Sequence, residues 1–168
     1  MRYHNITYDD MRNGDGLRVV LWVSGCEHHC KGCHNQVTWN PESGLKFGFE
    51  DAQEIFDELR KDHIAGVTFS GGDPLHPDNR EMIADLIDFI KQAYPTKTIW
   101  VYTGYTWEEI LRSSELVSMV RSVDVLVDGR FDHSLTGGKH PWVGSSNQRV
   151  IDVQRTLSEG KVVIHESH

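Results

Sequence analysis

Short apolar runs of strand length alternate along the chain with segments whose apolar residues recur every three to four positions. Residues 3–8 open the chain as a candidate strand, and Asn13-Gly14-Asp15-Gly16 follows as a Gly-rich turn. Residues 17–24 (LRVVLWVS) form an apolar, β-branched run with the composition of a buried strand. A polar stretch containing Gly and Pro then extends to about Gly48. In residues 50–61, Ala52, Ile55, Phe56 and Leu59 fall on one helical face. Residues 65–70 (AGVTFS), 98–102 (TIWVY) and 123–127 (VDVLV) are three further strands, and each runs into a polar turn with Gly. Asp78 with Glu81 predicts a capping box before a helix carrying Met82, Ile83, Leu86, Ile87 and Ile90, which ends before Pro95. Thr106 with Glu109 predicts a second box, opening a helix to about Arg112. Residues 149–153 (RVIDV), after a long polar loop, and residues 161–164 are candidate late strands.

Strands alternating with amphipathic helices predict βαβ units and an α/β fold with mostly parallel strands. A complete eightfold barrel needs about 250 residues. The 168 present lead to an open, partial (β/α) barrel, in one domain over residues 1–168 without a linker. Hydrophobic residues at 38% and charged residues at 25% exclude disordered and fibrous classes. No apolar run reaches the ~18 residues of a membrane span, and the first residues lack the apolar core of a secretory signal. The expected address is therefore cytoplasmic and off the membrane, where the Asn5-Ile6-Thr7 sequon has no meaning. A formal charge of −8 argues against a nucleic-acid partner, because such partners select clustered positive charge.

The 3 cysteines change the picture more than the totals do. Cys26, Cys30 and Cys33 all lie in the loop after residues 17–24, an odd number that cannot pair internally. Thiolates so clustered serve an iron–sulfur cluster, or a structural zinc site with His28, His29 or His34 as fourth ligand. Each of the other strands also ends on unusual residues: Gly71-Gly72-Asp73-Pro74, Tyr102-Thr103-Gly104 and Asp128-Gly129-Arg130. Carboxyl ends of parallel strands are where α/β proteins bind ligands. Each segment alone also reads as an ordinary turn. Asp128 and Arg130 alternate at a strand end, so they either face the same mouth or form a surface ion pair. Asn147, Gln148 and Arg149 either close the site or lead into the last strand. Gly137-Gly138-Lys139 fails as a phosphate loop, with His at 133 and 140. Trp22, Trp39, Trp100 and Trp107 read as packing residues.

Cys-x3-Cys-x2-Cys after the first apolar strand, with Gly-Gly-Asp-Pro after the second, resembles the radical S-adenosylmethionine superfamily. Asn13-Gly14-Asp15-Gly16-Leu17-Arg18, Gly32-Cys33-His34-Asn35 with Thr38-Trp39, Ser70-Gly71-Gly72-Asp73-Pro74-Leu75, Asp128-Gly129-Arg130-Phe131-Asp132 and Gly144-Ser145-Ser146-Asn147-Gln148-Arg149-Val150-Ile151-Asp152 are similar to one family within it. That family is the activases of anaerobic ribonucleoside-triphosphate reductase. The resemblance implies a partial barrel of the radical S-adenosylmethionine type. It also implies a [4Fe-4S] cluster on Cys26, Cys30 and Cys33 with one iron open to S-adenosyl-L-methionine. Gly71, Gly72, Asp73, Pro74, Thr103, Asp128 and Arg130 are the implied cofactor-binding residues. The implied reaction is reductive cleavage of the cofactor, whose 5′-deoxyadenosyl radical takes hydrogen from a glycine of the large reductase subunit. Flavodoxin or ferredoxin is the implied electron donor. Gly32 stands where many superfamily members have an aromatic residue, and Asp73 where many have Glu. Another glycyl-radical enzyme or a small molecule is the alternative substrate. A zinc-stabilised protein-binding module is the alternative outside enzymes.

Overall fold

The computed structural model describes residues 1–137 and 140–167, so Gly138 and Lys139 of the phosphate-loop-like segment lie outside the described residues. Seven strands form one sheet: β1 (Arg2–Asp10), β2 (Leu17–Val23), β3 (Leu45–Lys46), β4 (Ile64–Gly71), β5 (Thr98–Tyr102), β6 (Val125–Asp128) and β7 (Arg149–Asp152), in the order β3-β1-β2-β4-β5-β6-β7. Helices α1 (Phe49–Leu59), α2 (Arg80–Ala93), α3 (Trp107–Leu111), α4 (Ser114–Val120) and α5 (Val153–Glu159) connect or follow them. The centre, β2-β4-β5-β6, is parallel, while β1, β3 and β7 add on antiparallel. The mixed α/β class with a parallel centre is as expected, and the sheet stays open instead of closing into a barrel.

Alternation along the strands assigns the two faces. Val19, Leu21 and Val23 of β2, with Val67, Phe69, Ile99, Val101 and Leu126, are buried under Ile55, Leu59, Ile83, Ile87 and Ile90 of the helices. The other face carries a smaller cluster of Trp100, Val125, Val127 and Val150, with Tyr102 and Trp142 packed on it. Arg18 also points to this second face and is fully buried. It donates to the carbonyls of Asp15, Val67 and Thr98 and to the hydroxyls of Thr68 and Thr98, all at 2.8–2.9 Å. Burial pushes its guanidinium down to about 10, and that full set of acceptors is what makes a buried cation tolerable.

Register places the site. Trp22 pairs with Ser70 and Val23 with Gly71, so the cysteine loop and the Gly-Gly-Asp turn leave the sheet side by side. The Thr106–Glu109 capping box forms as read, with α3 starting behind it. The Asp78–Glu81 box does not. Asn79 is the N-cap of α2 and makes no side-chain cap bond; its amide instead donates to the carbonyls of Ser24 (2.8 Å) and Asp73 (3.0 Å). The tie to the site's two loops takes precedence over the cap. Residues 161–164 form a single bridge, Ile164 to Ile151, and no strand: among the described residues only two backbone bonds join this stretch to β7, and the His165 side chain reaches Asp15. Among the described residues no helix is long and apolar enough to cross a membrane.

Candidate iron–sulfur site

The loop after β2 is bound on both sides by backbone. Gly25 N–H donates to the Thr38 carbonyl (2.6 Å) and Cys26 N–H to that of Trp39 (3.1 Å), while the Asp73 N–H donates to the Gly25 carbonyl (2.7 Å). A Cβ on Gly72 would stand 2.5 Å from the Gly25 oxygen, so only glycine lets the two loops approach this closely. Cys26, Cys30 and Cys33 are unpaired thiols, each partly buried. They line one cavity of about 350 Å³ together with Gly71, Gly72 and Thr103. Burial pushes the Cys26 thiol up to about 11, and it also raises Cys30. These groups carry their protons near neutrality until a cation displaces them.

Among the described residues, no three His, Cys, Asp or Glu side chains are grouped as they would be around a single metal ion. A cubane instead takes one thiolate per iron, at separate corners of a body several ångströms wide. Three free thiols around one open volume fit that donor set. The neighbouring imidazoles are otherwise engaged. His28 Nε2 lies 2.7 Å from Asp73 Oδ2, His29 stacks on Trp39 with centroids 4.5 Å apart, and His34 lies against Phe131.

Asp73 is 1% exposed and is the hub of the site. Thr103 Oγ1 donates to both its oxygens at 2.9 Å, Gly104 N–H to Oδ2 at 3.0 Å and Leu75 N–H to Oδ1 at 2.8 Å. With His28 this occupies the carboxylate with protein partners from β4, β5 and the cysteine loop. Pro74 is buried in the turn and does not line the cavity.

Asp128 and Arg130 do not line this cavity, although the Arg130 charge acts on Cys30 and opposes the effect of burial there. Gly129 has φ +94° and breaks the strand alternation that had placed them together. Asp128 accepts from the Trp107 N–H (2.8 Å) and from Arg149 (2.6 Å), fastening the start of α3 to β7. Arg130 grips Glu109 with two bonds of 2.8 and 3.1 Å. Both line a separate hollow between α3 and β7, with Asn147 and Arg149; their in-between neighbour Gly129 does reach the thiol cavity. Tyr102, read as part of a strand end at the mouth, is a cavity wall; sequence reasoning missed Trp142 and read Trp22, another wall, as packing. The signal was strand parity, since Trp22, Ser70 and Tyr102 share a face. Trp100 and Trp107 are buried, as read.

The Arg130 bonds hold the Glu109 carboxyl down to about 2, from an ordinary 4.5. A lowered carboxyl stabilises the fold fully above about 4.5, and that contribution disappears as pH falls toward about 2. The pair is partly exposed, so its share is under about 1 kcal/mol. Glu109→Gln is expected to flatten the fall in stability between pH 5 and pH 3, as followed by urea denaturation. An unchanged slope would show that the pair contributes nothing.

Three thiols on one loop, beside a Gly-Gly-Asp strand end, fit the class of single-cluster iron–sulfur proteins, and residues 12–151 match the family model described as 4Fe-4S single cluster domain. Proteins named anaerobic ribonucleoside-triphosphate reductase-activating protein are similar over most of the chain. That of Enterobacteria phage T4 is 43% identical over 150 residues, covering 89% of this chain and 93% of the relative. Those of Vibrio cholerae and Salmonella typhi are 41% identical over 150 residues (88% of this chain, 96% of the relative) and 43% over 152 (89% and 97%). The chain belongs to the family of anaerobic ribonucleoside-triphosphate reductase-activating proteins.

Proposed function

We propose that this chain, as one domain over residues 1–168 with the partial barrel of the radical S-adenosylmethionine type, generates the glycyl radical of an anaerobic ribonucleoside-triphosphate reductase in the cytoplasm. Cys26, Cys30 and Cys33 would hold a [4Fe-4S] cluster whose fourth iron is left to S-adenosyl-L-methionine. When bound, the cluster supplies the single low-potential electron for reductive cleavage of that cofactor. A flavodoxin or ferredoxin is the expected electron source. The observation that carries the reading is the set of three free thiols around a cavity that the adjacent Gly71-Gly72 strand end also lines.

The chain's own residues have defined tasks in this reading. The backbone at Gly71 and Gly72 gives the cofactor's polar end a surface without side chains. Thr103 and Asp73 fix the ends of β5 and β4 on either side of it. Trp22, Tyr102 and Trp142 wall the cavity with rings and keep water from the reactive centre. Asp128 and Arg130 hold α3 and β7 in place, and their part in cofactor binding is indirect through Gly129.

Anaerobic reconstitution with iron and sulfide, followed by electron paramagnetic resonance of the photoreduced protein, tests the reading. A brown protein whose reduced signal changes on adding S-adenosylmethionine is the expected result. A colourless protein holding zinc and indifferent to the cofactor would sink it.

A further inference from the structure

The cavity extends beyond the thiols. It runs along the second face of the sheet past Trp22, Ser70 and Tyr102, and reaches Asn13 of the β1–β2 turn and Trp142 of the loop before β7. At this far end the rim residues Arg12 and Pro141 are exposed. The turn and the loop belong to opposite sides of the parallel centre, and β4, β5 and β6 lie between β2 and β7.

The C-terminal tail joins them. His165 N–H donates to the Val150 carbonyl (2.7 Å) and Asp152 N–H to that of Val163 (2.8 Å), so the tail first lies along β7. Then it crosses over. His165 Nε2 stands 2.7 Å from Asp15 Oδ2 in the β1–β2 turn, and the Trp142 indole N–H donates to Ser167 Oγ at 3.0 Å. The His165 and Trp142 rings both stand edge-on to Trp100, with centroids 5.3 and 5.9 Å away. Burial works to raise the Asp15 carboxyl, but bonds to His165 and Ser167 outweigh it and hold it below its usual range. One short segment thus touches Trp142, a wall of the far end, and Asp15, which lines a neighbouring hollow with Trp100 and lies two positions from Asn13 of the opposite wall.

We propose that the tail, through His165 and Ser167, sets the width of this far end, where the glycine-bearing segment of the protein substrate would pass. The inference rests on the function proposed above. Flat aromatic walls suit a planar peptide backbone, and a glycine brings no side chain to clash with them. His165 is a positioning residue: it holds the β1–β2 turn through Asp15 and packs on Trp100, while Ser167 holds Trp142. A misplacement of about 1 Å at such a wall costs on the order of 100-fold in a reaction that depends on alignment.

The test compares the full-length, cluster-loaded protein with His165→Ala and with His165→Gln, which keeps an N–H donor toward Asp15. The measurements are the Kd for the reductase, the spectral response to S-adenosylmethionine, and the glycyl radicals formed per cofactor cleaved. For His165→Ala the cofactor response should match the parent. Its Kd should rise, and its radical yield per cleavage fall, by roughly tenfold or more, with most of both recovered in His165→Gln. A parental Kd and yield in His165→Ala overturns the proposal, as does an equal loss of cofactor response, which marks general destabilisation. Should His165→Ala fail to fold, Ser167→Ala is read the same way, with tryptophan fluorescence reporting whether Trp142 has moved. A parent protein that binds the reductase but cleaves no cofactor refutes the underlying function instead.

Discussion

Alanine at any one of Cys26, Cys30 and Cys33 is expected to abolish cluster assembly and glycyl-radical formation together, while leaving the fold intact. The outcome has two parts. A cubane with three protein ligands has no spare thiolate, and the chain contains only 3 cysteines, so losing one leaves two irons without protein ligands. The thiols are unpaired and only partly buried, and backbone bonds at Gly25, Cys26 and Asp73 hold the loop in their place. Each substitution should therefore cost less than about 1 kcal/mol of stability. Iron content, visible absorption and a thermal melt on each variant check both parts. Full iron and an unchanged response to S-adenosylmethionine in Cys30→Ala would mean that another side chain is a ligand, with His34 and His29 the first to examine.

Much of this site is readable from sequence because it hangs on strand ends, and the strands are contiguous apolar runs. Residues 98–102 form β5 as read, and the Thr106–Glu109 box depends on neighbours three residues apart. What escaped depends on distant partners. Asn79 displaces Asp78 as the cap of α2 because its amide is needed by Ser24, which is 55 positions away. Helices α4 and α5 carry caps of their own, Ser113 and Asp152, but are only 7 residues each. Their stability comes from packing that their local sequence does not show. Asp128 was readable as facing the mouth or as half of an ion pair, and its partner, Arg149, comes from antiparallel pairing with a distant strand. The crossing of the tail to Asp15 spans 150 residues, and no periodicity encodes it.

Asp73→Ala should be the most damaging change outside the cysteines, costing about 3–5 kcal/mol, the range for breaking a buried ionic network from one side. The carboxylate is 1% exposed and receives the Thr103 hydroxyl, the Gly104 and Leu75 N–H groups, and His28 at 2.7 Å. Without it these donors face one another in a site that water reaches poorly, and each unsatisfied group costs about 1–3 kcal/mol before relaxation. Relaxation separates β4 from β5 and frees the cysteine loop, so cluster loading should fall along with stability. Asp73→Asn keeps one acceptor oxygen, but its amide confronts donors on the other side, which leaves an intermediate loss. Denaturant unfolding of the apo-proteins measures the stability change, and iron content after reconstitution measures the consequence for the site. If Asp73→Ala unfolds within about 0.5 kcal/mol of the parent yet no longer responds to S-adenosylmethionine, the carboxylate is a direct ligand of the cofactor, and its hydrogen bonds to the protein are secondary.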